Sequence, residues 1–273
     1  MRPLAWPRRR PPQSSHRTIG WRYGSGGALP LDVGVTQDDP VAVALPRVAL
    51  LASPLLGPAV WRPAATALAD RGWDVLVVPR LAQAPDCPAQ VLAHLLNALP
   101  AGRALALVAH SNAGLCLPAV AAERRVVASV YADAALPAAV GPTPMAPPRM
   151  HRFLRDLAGD DGLLPPWTQW WDEEQMAELC PDAACRAALV AEQHRLPLEY
   201  FTATIDAPAG WTQRPAAYLA FGDTYQAERD QAAHWGWPIQ TLPGEHLHPL
   251  VDPPRVAAAL DELLRRQLHA PSA

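Results

Sequence analysis

Lysine is absent from the sequence, so all 23 basic residues are arginine, a bias that points to genomic base composition and carries no functional reading. Cysteine is scarce too. Cys87, Cys116, Cys180 and Cys185 are scattered, with no CxxC pair, which offers no disulfide framework and fits reduced thiols in a cytoplasmic setting. The four residues between Cys180 and Cys185, with no histidine pair nearby, argue for two helix-borne thiols over a zinc site. There is no excess of positive charge, since the formal net charge is −3, and no broad field to hold a phosphate backbone. Nucleic acid is therefore not expected as a partner, and a small-molecule substrate fits better. No apolar run reaches the roughly eighteen residues that span a bilayer, because Arg, Asp, Pro or His interrupts each one. Residues 1–22, rich in Pro and Arg, lack the apolar run of a signal peptide and read as a tail. A soluble protein without a membrane partner is expected; the pattern leaves its oligomeric state open.

What is present is a chain of 273 residues, half of them hydrophobic, long enough for one large α/β domain. RVALLAS from Arg47 is short, apolar and stopped by Pro54, the pattern of a strand buried on both faces. WRPAATALADRG from Trp61 has helical spacing and closes on Gly72. WDVLVVP from Trp73, CPAQVLAHLLNALP and RALALVAH from Arg103 continue as strand, helix and strand. NAGLCLPAVAAE then predicts a helix that Pro118 could kink, and RVVASVYAD a fourth strand. This alternation predicts a doubly wound, mostly parallel α/β sheet.

The rhythm breaks over residues 137–215, where Pro, Trp and Met concentrate. HRFLRDLAG, EEQMAELC and CRAALVAEQHR read there as short helices, with Trp167, Trp170, Trp171 and Trp211 supplying aromatic surface, so a helical cap insertion is expected. The sheet resumes with AAYLAF from Ala216, followed by the helix AERDQAAHWG, the strand PIQTL and the loop GEHLHPLVD. A last helix starts at Pro253 with Asp252 as N-cap. The organisation read from these patterns is a tail with possible first strands over 1–45, core over 46–136, cap over 137–215 and core over 216–273.

The segment LALVAHSNAG sets Ser111 between a buried strand and a helix that begins with small residues. On its own such a serine reads equally as an N-cap. After the third strand of an α/β series it reads instead as a nucleophile on a sharp turn, its hydroxyl lifted clear of the sheet and the helix N-terminus aimed at any oxyanion. The usual pattern is GxSxG. Here Ala109 and Ala113 stand at the glycine positions and Gly114 follows one residue later.

With that string, and with WRPAATALADRGWDVLVVP, VYADAALP and GEHLHPLVDPPRVAAAL, the chain resembles the α/β-hydrolase superfamily over about residues 46–268. The resemblance implies an α/β-hydrolase fold and, in the last of these segments, the catalytic base: His246, ahead of Asp252 and Pro253. His248 competes with it but lies four residues before the N-cap and precedes Pro249. A metal reading of the H-x-H pair lacks the rest of any metallohydrolase signature. Chain order in this fold is Ser, acid, His, which leaves two acids. Asp223 follows AAYLAF, the usual site, and is slightly favoured; Asp133 ends VVASVYAD, a position some members use. Either could instead serve only its loop.

The resemblance also implies an oxyanion hole from the backbone N–H of Asn112 and one from the early loop Ser53–Gly57. Pro54 has no N–H to give, so Leu55 is the second donor, with Leu56 behind it. Trp167, Trp170 and Trp171 either wall a hydrophobic substrate pocket or pack the cap onto the sheet. The chemistry implied is cleavage of an ester, thioester or lactone through a Ser111 acyl-enzyme, with no cofactor or metal. The same pocket could serve a lyase, cyclase or acyltransferase, or a binding protein that has lost catalysis.

Overall fold

The structure is a computed structural model, and it describes residues 45–269; the tail read over residues 1–45 lies, but for its last residue, outside them. The strands of the central sheet fall on the runs expected for them. They are β1 (Arg47–Leu51), β2 (Val75–Val77), β3 (Leu105–Ser111), β4 (Val126–Ala134) and, after a two-stranded excursion by β5 (Pro142–Pro144) and β6 (Thr204–Asp206), β7 (Ala216–Phe221). β8 (Ile239–Leu242) completes a six-stranded sheet of order β2-β1-β3-β4-β7-β8. Every pairing in it is parallel. All seven residues of β3 and all six of β7 are buried, as their largely apolar character leads one to expect of strands covered on both faces.

The connections determine the layers. From β1 the chain steps outward to β2 through α1 (Arg62–Ala69), then reverses to β3 through α2 (Pro88–Ala98). Right-handed crossovers put helices of opposite stepping direction on opposite faces. α3 (Leu117–Glu123), which leads from β3 to β4, steps the same way as α2 and packs on it. The point of reversal, between β1 and β3, is where open α/β sheets bind ligands, beyond the carboxyl ends of the strands. Ser111 is the last residue of β3.

Pro118 does not kink a helix. Asn112–Cys116 form a tight 3-10 turn, and α3 begins only at Leu117, so Pro118 falls in a first turn, where its missing N–H costs nothing.

Between β4 and β7 lie α4 (His151–Leu157), α5 (Glu173–Leu179) and α6 (Ala183–Glu192), close to the expected helices, and the short α7 (Leu198–Thr202), which was not foreseen from the sequence. This segment does contain strands, since β5 and β6 pair antiparallel. It is tied to the sheet at its far end. Glu192 accepts from the Ala59 backbone N–H at 2.6 Å and pairs with Arg62, while His194 Nε2 donates to the Leu81 carbonyl at 3.0 Å.

α8 (Gln226–His234) links β7 to β8, and a one-turn helix not foreseen from the sequence, α9 (His248–Val251), interrupts the last loop. α10 (Pro253–His269) follows, with Asp252 accepting from the Arg255 N–H at 3.2 Å as expected of an N-cap. Its apolar stripe, Val256, Leu260, Leu263 and Leu264, is buried, and α10 packs on α1.

Candidate active site

β3 delivers Ser111 at φ 59° and ψ −134°, a conformation that few residues with a side chain adopt, and the 3-10 turn starts at the next residue. The chain can turn this sharply because small residues line the crossing. At Gly114 a Cβ would collide with the Ala135 carbonyl oxygen at the end of the neighbouring strand. Glycine is required there, and Ala109 and Ala113, both buried, fit where the usual pattern has it.

β4 carries an irregularity opposite that bend. His110 pairs with Ala132 and Ser111 with Ala134, so Asp133 is an extra residue in a bulge, with φ 44°. A bulge re-aims a side chain. Asp133, 1% exposed, accepts from the Phe221 N–H with one oxygen (3.2 Å) and from His246 Nδ1–H with the other (2.7 Å). Tyr218 secures the distortion: its hydroxyl donates to the Ala134 carbonyl at 2.8 Å and accepts from the Ala134 N–H at 3.0 Å.

This arrangement corrects the preference for Asp223. The Asp223 carboxylate is mostly solvent-exposed, 3.9 Å from Arg229 on α8, and it is Asp133 that faces the imidazole. His248, the competing base, has its ring against Phe221, with centroids 5.4 Å apart. Its Nε2 is buried without a partner among the described residues, and burial lowers its pKa. Among the described residues, no group of three His, Cys, Asp or Glu side chains is arranged to hold a metal ion.

Further rings pack around His246. His110 stacks on it at 4.4 Å, and His110 Nε2–H donates to the His246 carbonyl at 2.9 Å. Burial, with His246 close by, lowers the His110 pKa well below the usual histidine range, so its imidazole is neutral. Trp61 meets the His110 ring edge-on at 5.7 Å. Tyr225 lies 5.6 Å from the His246 ring, with its hydroxyl 3.4 Å from Ser111 Oγ. Ser111, His246 and Tyr225 thus converge at the carboxyl end of β3. Among the described residues the Ser111 hydroxyl is bonded to Tyr225 and not to His246. Tyr225 was not singled out in the sequence, where it is one tyrosine in a polar turn.

No protein-family model matches the chain, and no curated protein matches it in sequence. Solved structures do. An extracellular α/β-hydrolase from a Paenibacillus species, described as sharing structural and functional homology with tobacco salicylic acid binding protein 2, superposes with a TM-score of 0.64 at 15% identity, covering 80% of this chain and 99% of that one. A methylesterase from Arabidopsis gives 0.59 at 13%, covering 81% and 100%. Tomato methylketone synthase I, in a histidine-to-alanine variant complexed with β-ketoheptanoate, gives 0.60 at 11%, covering 82% and 99%. The fold is that of the α/β-hydrolases.

Within this α/β-hydrolase fold the early loop departs from the expected oxyanion geometry. Leu55 N–H donates to Ser53 Oγ at 3.2 Å, and the N–H groups of Leu56 and Gly57 both donate to the Ser53 carbonyl at 3.0 Å. Leu55 and Leu56, the expected donors, are thus both turned inward. Asn112 is fixed through its side chain, which donates to the Met145 carbonyl (2.8 Å) and accepts from the Tyr200 hydroxyl (2.9 Å), joining the bend to the segment between β4 and β7.

The tryptophans divide. Trp167 lies 6.0 Å from the His246 ring and 5.5 Å from Trp171, whose indole N–H is buried without a partner among the described residues. Trp170 instead packs inside its own segment against Phe153 and Phe201 and donates to the Pro165 carbonyl, which removes it from the expected pocket wall. Trp211 packs with Tyr131, Trp235 and Trp237. An open groove of about 470 Å³ beside this cluster, lined by Thr212, Trp235 and Trp237, lies at the starts of β7 and β8, the end of the sheet opposite Ser111.

Proposed function

We propose that the protein is a serine hydrolase that cleaves an ester, thioester or lactone of a small hydrophobic substrate through a Ser111 acyl-enzyme. The observation that carries this reading is the 2.7 Å pair of His246 Nδ1 with Asp133, set beside a serine in a strained bend at the end of a strand that flanks the sheet's switch point. Asp133 fixes the tautomer, so the proton sits on Nδ1 and the Nε2 lone pair is left for the Ser111 hydroxyl. A short movement of the hydroxyl from Tyr225 to Nε2 on substrate binding completes the relay, a tightening usual between free enzyme and complex.

Ser111 Oγ then attacks the carbonyl carbon and its proton passes to His246. The leaving oxygen or sulfur takes that proton, and water reverses the sequence. The segment between β4 and β7 acts as a cap, with Trp167 and Trp171 as an apolar wall that excludes water and selects hydrophobic acyl or alcohol groups. The hydrolase and methylesterase names among the structural neighbours agree with this chemistry, which uses no metal or cofactor.

Activity on a panel of p-nitrophenyl esters and acyl-CoAs, compared between the native protein and Ser111→Ala, tests the reading. Loss of turnover in the variant and labelling of native Ser111 by a fluorophosphonate are expected; equal rates would sink it. One observation favours a second reading, a lyase, cyclase or acyltransferase in the same pocket: Ser111 is bonded to Tyr225 in place of His246. Labelling without turnover of any simple ester is the result that would prefer it.

A further inference from the structure

We propose that the Tyr225 hydroxyl is the second hydrogen-bond donor to the tetrahedral oxyanion, taking the place of a backbone N–H from the loop after β1. The inference rests on the Ser111 acyl-enzyme reading above and deepens it. Two donors normally hold such an oxyanion, the residue after the nucleophile supplying one. Asn112 follows Ser111 at the head of the 3-10 turn. The other donor belongs to the loop that leaves β1, which runs beside β3 with Leu51 opposite Ala109.

The N–H groups that the loop would be expected to offer are already spent. Pro54 has no N–H, Leu55 N–H is spent on Ser53 Oγ, and the N–H groups of Leu56 and Gly57 are spent on the Ser53 carbonyl. Ser53 is fully buried, so the turn that consumes them is part of the core. Gly57 is pressed against Glu192, where a Cβ would collide, and Glu192 also holds the Ala59 N–H. The loop is therefore clamped from both sides in its self-satisfied form.

Tyr225 meets the requirement from another direction. Its hydroxyl is 3.4 Å from Ser111 Oγ, and its ring lies against His246. Burial raises the phenol pKa above its ordinary range, so it keeps its proton and donates. When Ser111 Oγ bonds to the carbonyl carbon, its proton goes to His246 Nε2 and the C=O π pair moves onto the carbonyl oxygen. That oxygen sits on the carbon now bonded to Oγ, two bonds from Oγ, and a small rotation brings it within reach of the phenol. Tyr225 donates a hydrogen bond without transferring its proton. Collapse restores the C=O bond and expels the leaving group, which is protonated by His246.

The test is Tyr225→Phe, which keeps the ring and removes the donor. With a p-nitrophenyl ester, kcat should fall about 10²–10³-fold with little change in KM. The affinity of a trifluoromethyl ketone, which forms a hemiketal oxyanion on Ser111, should fall by a similar factor, while that of the product acid stays within twofold. Native kcat in the variant overturns the proposal. So does a loss confined to esters of poorly acidic alcohols with ketone affinity intact, because it would place Tyr225 at the leaving group. If the variant fails to fold, 3-fluorotyrosine at position 225 keeps the hydroxyl and makes it more acidic. Tighter ketone binding is then expected, and unchanged binding overturns the proposal. An inactive native protein would refute the acyl-enzyme reading and this inference together, whereas an active native protein, a dead Ser111→Ala and a fully active Tyr225→Phe would refute this inference alone.

Discussion

Asp133 reaches His246 because β4 holds one residue more than β3 needs at that point, and a bulge turns a strand residue toward the site. Nothing in the letters VVASVYAD announces an extra residue, which is why Asp133 and Asp223 could not be separated from the sequence. Tyr225 was illegible for a similar reason: its position follows from where β7 ends and α8 begins, and a single tyrosine in a turn has no period. Ser111 and His246 were legible because each belongs to a pattern longer than itself, a strand-to-helix bend and a loop closing on a capped helix. The two acids give a direct prediction. Asp133→Asn should lower kcat about 10³–10⁴-fold by presenting the wrong tautomer of His246, and Asp223→Asn should leave kcat within twofold. Steady-state rates on one p-nitrophenyl ester distinguish them, and the reverse pattern would reinstate Asp223.

At the scale of elements, strands buried on both faces were readable from their largely apolar runs, and the helices from spacing and caps. The exceptions have physical causes. β5 and β6 are three-residue strands, with prolines at two of the three positions in β5 and no apolar run to betray either. Trp170 and Trp167 are alike in sequence, yet a 3-10 turn over Trp167–Trp170 sends one ring to His246 and the other into its own segment. The packing of bend against strand supplies a second prediction. Gly114→Ala drives a methyl into the Ala135 carbonyl and should destabilise the fold by about 1–3 kcal/mol, measured by urea denaturation; native stability would show that the strand end yields. The tie between α6 and the loop after β1 supplies a third. Glu192→Ala removes the acceptor of the Ala59 N–H and should cost about 1–3 kcal/mol, with hydrogen exchange at Ala59 accelerated ahead of the sheet. Unchanged exchange at Ala59 would show that the clamp is not needed.

For the whole molecule, three histidines set the acid side of stability. Burial lowers the pKa of His110 most, and also those of His194 and His248, so each is neutral in the folded protein where the unfolded chain would begin to charge it. Below the unfolded value, about 6.5, the unfolded state binds more protons than the native state, so stability falls as pH falls through that value. Above it the contribution is constant. For fully buried His110 the slope approaches about 1.4 kcal/mol per pH unit; for the other two, which are nearer water, it is smaller. Glu228 acts in the opposite sense, since burial raises its pKa and it releases its proton at higher pH in the folded protein than in the unfolded chain. Asp74, Asp161 and Asp182, whose partners lower their pKa values, lose their contributions only at more acidic pH. Urea denaturation at pH 7.5, 6.5 and 5.5 should therefore show stability declining mainly over the step from 6.5 to 5.5. In His110→Gln the decline should be shallower by nearly one proton, with Glu228 cancelling between the two proteins. Parallel declines would mean that His110 takes up a proton in the folded state, and the neutral imidazole stacked on His246 would have to be abandoned.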